Sequence, residues 1–149
     1  MSKKIIALSA LLIAISSCGF QPIKNQGVIK VGSISFANNV PSSVKDKLKI
    51  LQNDESNNLS LIIQSYELKE RKTYGGNALR ALESEIKGEI AIVISNGEDT
   101  ITKKLVVVKN YSVSELNPLS ERETVKKLEQ AIQAQLINQI AFEVSLLEM

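Results

Sequence analysis

The chain has 149 residues, with 18 basic and 16 acidic side chains, one cysteine, and neither histidine nor tryptophan. The lack of histidine excludes Ser-His-Asp triads, Cys-His pairs and histidine-ligated metals, and a lone cysteine excludes an internal disulfide or a thiolate zinc site. At 44% hydrophobic and 23% charged, this is the composition of one folded domain rather than a disordered chain, and it argues against an enzyme or a cofactor protein.

The first residues read as an address. Lys3 and Lys4 precede an apolar run from Ile5 to Ile15, then Ser16, Ser17 and Cys18. The run is too short for a bilayer crossing, which needs ~20 residues, and its basic start and small-residue end fit a secretory signal. Ile15-Ser16-Ser17-Cys18 also fits a bacterial lipobox, with Cys18 acylated as the first mature residue. Each buried CH₂ of an acyl chain contributes ~0.8 kcal/mol, so two or more chains anchor a protein stably. Gly19 stands where an inner-membrane retention signal would have Asp, so the expected location is the periplasmic side of an outer membrane. The expected division is a signal peptide at 1–17, a lipidated tether at 18–27 and a folded domain at 28–149. Without Lys3 and Lys4 the mature chain has 16 basic and 16 acidic residues, which does not suit a nucleic-acid binder.

Residues 28–36 are rich in β-formers, and the apolar parity shifts from Ile29 and Val31 to Ile34 and Phe36 across Gly32, predicting a bulge there. Pro41-Ser42-Ser43 predicts a helix start, with Ser43 and Asp46 at capping-box spacing and Val44, Leu48 and Leu51 on its inner face. A second strand is expected from Leu59 to about Leu68, followed by a loop from Lys69 to Ala78. From Arg80 to Ser95, Leu82, Ile86, Ile90, Ile92 and Ile94 alternate with charged residues, as in a half-buried strand. Asn96-Gly97 signals a hairpin to a strand over 101–109, with Ile101, Leu105 and Val107 on the face of Ile90 and Ile92. Ser120-Glu121-Arg122-Glu123 reads as a capping box opening a long helix. Val125, Leu128, Ile132, Leu136, Ile140 and Val144 form its apolar stripe.

The fold class implied is α+β: a four-stranded, mostly antiparallel sheet with two helices packed on one face, in the order β-α-β-β-β-α. Ile62, Tyr66, Ala91, Val93, Val106 and Val108 are expected on the opposite, helix-free face, where apolar area marks a partner surface. Glu83, Glu85 and Glu89 lie on the polar parity of one strand. Nothing apolar encloses them to raise a pKa, so carboxylate-based hydrolysis is not supported.

Cys18-Gly19-Phe20 after the lipobox, this element order, the long third strand, the Asn-Gly hairpin, Tyr111, Asn117-Pro118 and the last helix together resemble the LPS-assembly lipoprotein family, LptE. The resemblance covers nearly the whole mature chain, although the 51–59 connection is shorter than the family pattern. It implies a non-enzymatic plug inside an LptD-like outer-membrane β-barrel, assisting barrel assembly and delivery of lipopolysaccharide to the outer leaflet. It also implies lipopolysaccharide contact through basic loop residues, at positions matching Arg71, Lys72 and Arg80, with Arg122 a fourth. Arginine's planar fork can bind phosphate at two points; as single residues these positions read equally as solvated charges. The partners implied are the barrel, lipopolysaccharide and the inner leaflet of the outer membrane. The competing reading is an outer-membrane lipoprotein adaptor or assembly factor unconnected with lipopolysaccharide.

Overall fold

The computed structural model describes residues 31–52, 58–75, 80–113 and 117–147, with backbone alone at 80–82. The signal, Cys18 and the tether expected at 18–27 lie outside the described residues. The elements run β1 (Ser33–Phe36), α1 (Ser42–Lys49), β2 (Ser60–Gly75), β3 (Arg80–Ser95), β4 (Thr100–Ser112) and α2 (Pro118–Leu147). The sheet order is β1-β2-β3-β4. β1 pairs parallel with β2 through the α1 crossover, and the other neighbours are antiparallel. This is the α+β order read from the sequence. No described helix is long and apolar enough to cross a membrane.

The irregularity expected at Gly32 is present. The amides of Gly32 and Ser33 both donate to the Leu59 carbonyl, at 2.9 and 3.4 Å, so two successive residues at the bend that opens β1 face one acceptor. Val31, bridged to Gln52, is buried, and beyond the bend Ile34 and Phe36 pack against the same core. α1 lacks the capping box. It starts at Ser42 behind an extended Pro41 with no side-chain cap, so Ser43 is already inside the helix. The Ser43 hydroxyl donates instead to Gln133 Oε1 on α2, at 3.4 Å. Val44 and Leu48 are buried and Leu51 is half-buried beneath them, as their spacing predicts.

β2 is longer than expected. The stretch from Lys69, expected as a loop, continues as strand to Gly75, paired residue by residue with β3. Its polar composition gives no strand signal by itself; cross-strand pairing supplies the stability that propensity does not. A register shift between Ile63 and Ser65 turns the strand over. Tyr66, expected on the open face, therefore lies opposite Ile90 and is buried. Ile62, Val106 and Val108 do lie on the open face, each about two-fifths exposed (42, 40 and 44%).

The β3–β4 turn spans Asn96–Asp99. Gly97 adopts φ 93°, which glycine tolerates without steric cost. Asn96 Oδ1 accepts the amides of Glu98 and Asp99, both at 3.3 Å. Ile101, Leu105 and Val107 then fall opposite Ile94, Ile90 and Gly88, on the expected inner face.

α2 starts two residues before the Ser120 capping box. Asn117 Oδ1 accepts the Ser120 amide at 3.2 Å, and Pro118 takes the first helical position, where its missing N–H has no cost. Ile132, Leu136, Ile140 and Val144 bury the stripe, with Val125 and Leu128 half-buried toward the helix start. The helix crosses so close to β3 that a Cβ on Gly88 would collide with Ile132 Cγ2 and lie 3.2 Å from Leu136 Cδ1.

Candidate functional site

The inner face of the sheet changes character along its length. Near β1 it carries Leu61, Ile63, Ile92 and Ile94, all buried. Toward Ser112 the same parity supplies Glu70, Lys72, Ser84 and Tyr111, with Lys72 opposite Ser84 and Ser84 opposite Tyr111. The first turns of α2 close over them, leaving a cleft of about 620 Å³. Lys72, Arg122 and Lys126 line it together with Glu70, Glu121 and Glu129, while Tyr111, Pro118 and Val125 supply its apolar wall.

Hydrogen bonds organise the floor. Ser84, buried, donates to Glu70 Oε1 at 2.8 Å, and the Tyr111 hydroxyl donates to the same oxygen at 2.8 Å. The Tyr111 bond, helped by Ser84 and Lys72 and opposed by partial burial, holds the Glu70 carboxyl below its usual 4.5. Burial, then the bond to Glu70, pushes the Tyr111 hydroxyl up to about 12. Lys72 Nζ sits 3.4 Å from Glu121 Oε1 and 4.0 Å from Glu70 Oε1, tying β2 to the first turn of α2. Among the described residues, Arg122 and Lys126 have no ion-pair partner at such distances. The cleft thus offers two uncommitted cations beside an apolar wall, an arrangement suited to an anionic group carried on an apolar body.

The four basic residues proposed from sequence do not form one loop cluster. Lys72 and Arg122 come together in the cleft. Arg71, the preceding residue of β2, points to the opposite, helix-free face, with Glu85 as its strand partner and its side chain exposed. Arg80 opens β3 opposite Gly75, and its side chain lies outside the described residues, as does Cys18. The reason for the split is the extended β2: in a strand, successive side chains alternate faces, so Arg71 and Lys72 cannot share a site. Sequence reasoning misses Tyr111, Glu70 and Ser84 as site residues. The parity run Leu68, Glu70, Lys72, Tyr74 places Glu70 and Lys72 together once the strand is extended past Leu68.

A second polar feature lies on the helix-free face. Glu89 is gripped by Lys104 at 2.7 Å and by Lys87. These bonds, Lys104's first, lower its carboxyl to about 2. It is a strongly ionised surface carboxylate, the opposite of a general acid. Among the described residues no cluster of acidic or cysteine side chains could hold a metal.

Solved structures of several lipoproteins match this architecture. Rare lipoprotein B from Shewanella oneidensis superposes with a TM-score of 0.66 at 14% identity, over 80% of this chain and 96% of its own. The chain has the fold of these lipoproteins. A minor lipoprotein from Acinetobacter baumannii gives 0.62 at 15% identity, over 81% and 93% of the two chains. An uncharacterized lipoprotein B from Nitrosomonas europaea gives 0.62 at 14%, over 83% and 88%. No family model and no curated protein matches the sequence. At these identities the likeness is one of fold, and the cleft's residues must argue for themselves.

Proposed function

We propose that this chain is an outer-membrane lipoprotein subunit of the lipopolysaccharide translocon, anchored through Cys18 on the periplasmic side and seated as a plug in an LptD-like β-barrel. The observation that carries the reading is the cleft: Lys72 and Arg122, two positions matched to the family's basic residues, converge beside Tyr111, Pro118 and Val125. Phosphates on an apolar lipid body need both halves of that arrangement. The fold shared with proteins named as lipoproteins supports the anchor. A formally neutral mature chain and the exposed amides Gln130, Gln135 and Asn138 on α2 suit contact with a barrel lumen, which is polar. A lipid anchor would also raise the local concentration of the domain at the membrane, making docking effectively intramolecular.

The test has two arms. Affinity capture of the acylated protein from its own membranes in detergent is expected to recover a large β-barrel in near-equal amount. Recovery of small lipoproteins alone would favour an adaptor unconnected with lipopolysaccharide. In the second arm, Lys72→Glu with Arg122→Glu is expected to weaken lipopolysaccharide binding at least ~10-fold, the loss of roughly one charge-assisted contact. Arg71→Glu, on the other face, is expected to leave binding near wild type. Equal loss from both would place binding outside the cleft.

A further inference from the structure

The chain enters the fold at the end opposite the cleft. Val31 is bridged to Gln52 and donates its amide to the Leu51 carbonyl at 3.2 Å, so the entry point lies beside the C-terminal turn of α1. That turn presents Lys47 and Lys49, both exposed, and is followed by Ile50, 77% exposed and the most exposed large apolar side chain among the described residues. Lys47 precedes Ile50 by three residues, which places the two on one side of the helix. The sequence around this corner is biased. From Val31 to Gln52 it has three lysines, Lys45, Lys47 and Lys49, and a single acid, Asp46, although the mature chain as a whole is balanced.

We infer that the C-terminal corner of α1, with Ile50 at its tip and Lys47 and Lys49 beside it, docks on the anionic lipid surface that holds the anchor. The inference rests on acylation of Cys18. From Cys18 to Val31 the chain can span at most ~45 Å, so an anchored domain keeps this corner within reach of the headgroups. Lysines near an anionic surface are attracted within roughly a Debye length of ~8–10 Å, and an adjacent apolar tip enters the interface, as in amphipathic membrane-surface segments. On an anchored chain not yet seated in a barrel, docking here turns the opposite end, with the cleft, away from the membrane. The apolar residue exposed at that cleft end, Leu119, is 72% exposed and is followed by the mixed charges Glu121, Arg122 and Glu123. Net local charge, positive at the α1 corner and balanced among the three bases and three acids of the cleft, therefore separates the two ends where hydrophobicity does not.

The experiment uses the full acylated chain, with Cys18 acylation first verified by mass spectrometry. With that thiol blocked by its lipid, Ile50→Cys introduces one labelling site for an environment-sensitive fluorophore, and Leu119→Cys provides the control. The proteins are reconstituted in vesicles of phosphatidylethanolamine with or without phosphatidylglycerol. The expected result is a blue-shifted probe at 50, quenched by brominated lipid tails only when phosphatidylglycerol is present, with the probe at 119 in water. Lys47→Glu with Lys49→Glu is expected to abolish the shift while the protein still sediments with the vesicles. An aqueous probe at 50 in a sedimenting, acylated protein overturns the docking inference and leaves the anchor reading intact. An unacylated Cys18 with no sedimentation overturns both.

Discussion

The two ends of the molecule are built on the same sheet and the same long helix, yet their interiors differ. At the chain-entry end, Leu61, Ile63, Ile92 and Ile94 share one buried apolar cluster with Ile140 and Val144. At the other end, Glu70, Ser84 and Tyr111 occupy the corresponding inner-face positions beneath the start of α2. A buried polar group is costly unless its hydrogen bonds are made, and here they are made within the cleft floor. The entry half therefore holds the fold together, while the cleft half gives up apolar packing for a charged, partly open surface. Roles separate along β2 as well, whose first residues fill the core and whose last residues line or oppose the cleft.

Substitutions in the two halves should accordingly fail in different ways. The largest effect belongs to the apolar half and its contact with α2: Leu136→Ala is expected to cost about 2–5 kcal/mol in denaturant unfolding, for lost transfer energy and the cavity left behind. A loss below about 1 kcal/mol would mean that α2 is loosely seated. Gly88→Val is expected to cost about 1–3 kcal/mol, because the added atoms meet Ile132 and must displace either helix or strand. A compensating Ile132→Ala should recover part of that loss, since the two sites share one contact.

In the cleft half, Tyr111→Phe carries a smaller cost, about 1 kcal/mol for one hydrogen bond to a half-exposed carboxylate. Its pH signature is more informative. Glu70 has a folded pKa below its ordinary 4.5, so its contribution is complete above that value and is lost as pH falls through the folded pKa. Tyr111 titrates at about 12 against an ordinary 10.0, so its contribution is complete below about pH 10 and is lost as pH rises toward 12. In the Phe variant the alkaline loss of stability should shrink, and the Glu70 carboxyl, followed by carbon-13 NMR, should titrate at higher pH. An unmoved Glu70 would place the hydroxyl elsewhere. The smallest effect is expected on the helix-free face: Lys104→Ala should leave the unfolding midpoint nearly unchanged, because exposed ion pairs contribute little. The Glu89 carboxyl should nonetheless rise from about 2 toward 4.5 as its leading partner is lost.

Elements whose stability is local are legible in the sequence. The alternation of Ile86, Ile90, Ile92 and Ile94 locates β3, Asn96-Gly97 locates the hairpin, and the Val125-to-Val144 stripe locates the inner face of α2. Helix starts are less legible. Ser43 and Ser120 have the right spacing for capping boxes, but Pro41 and Asn117-Pro118 begin each helix earlier. Proline at or beside a helix start sets the boundary more firmly than a serine within it.

Periodicity and turn chemistry are properties of neighbouring residues. The α+β order, the core stripe and the presence of basic residues around the β2–β3 connection were therefore written in the chain itself. Which of those residues meet was decided by the packing of distant segments. The polar end of β2 is a strand only because β3 pairs with it, and that pairing sends Arg71 and Lys72 to opposite faces. The shift between Ile63 and Ser65 moves Tyr66 inward, one residue reversing every side chain after it. Arg122 joins Lys72 across 50 residues of chain because α2 packs back over the sheet, a juxtaposition that no local pattern encodes.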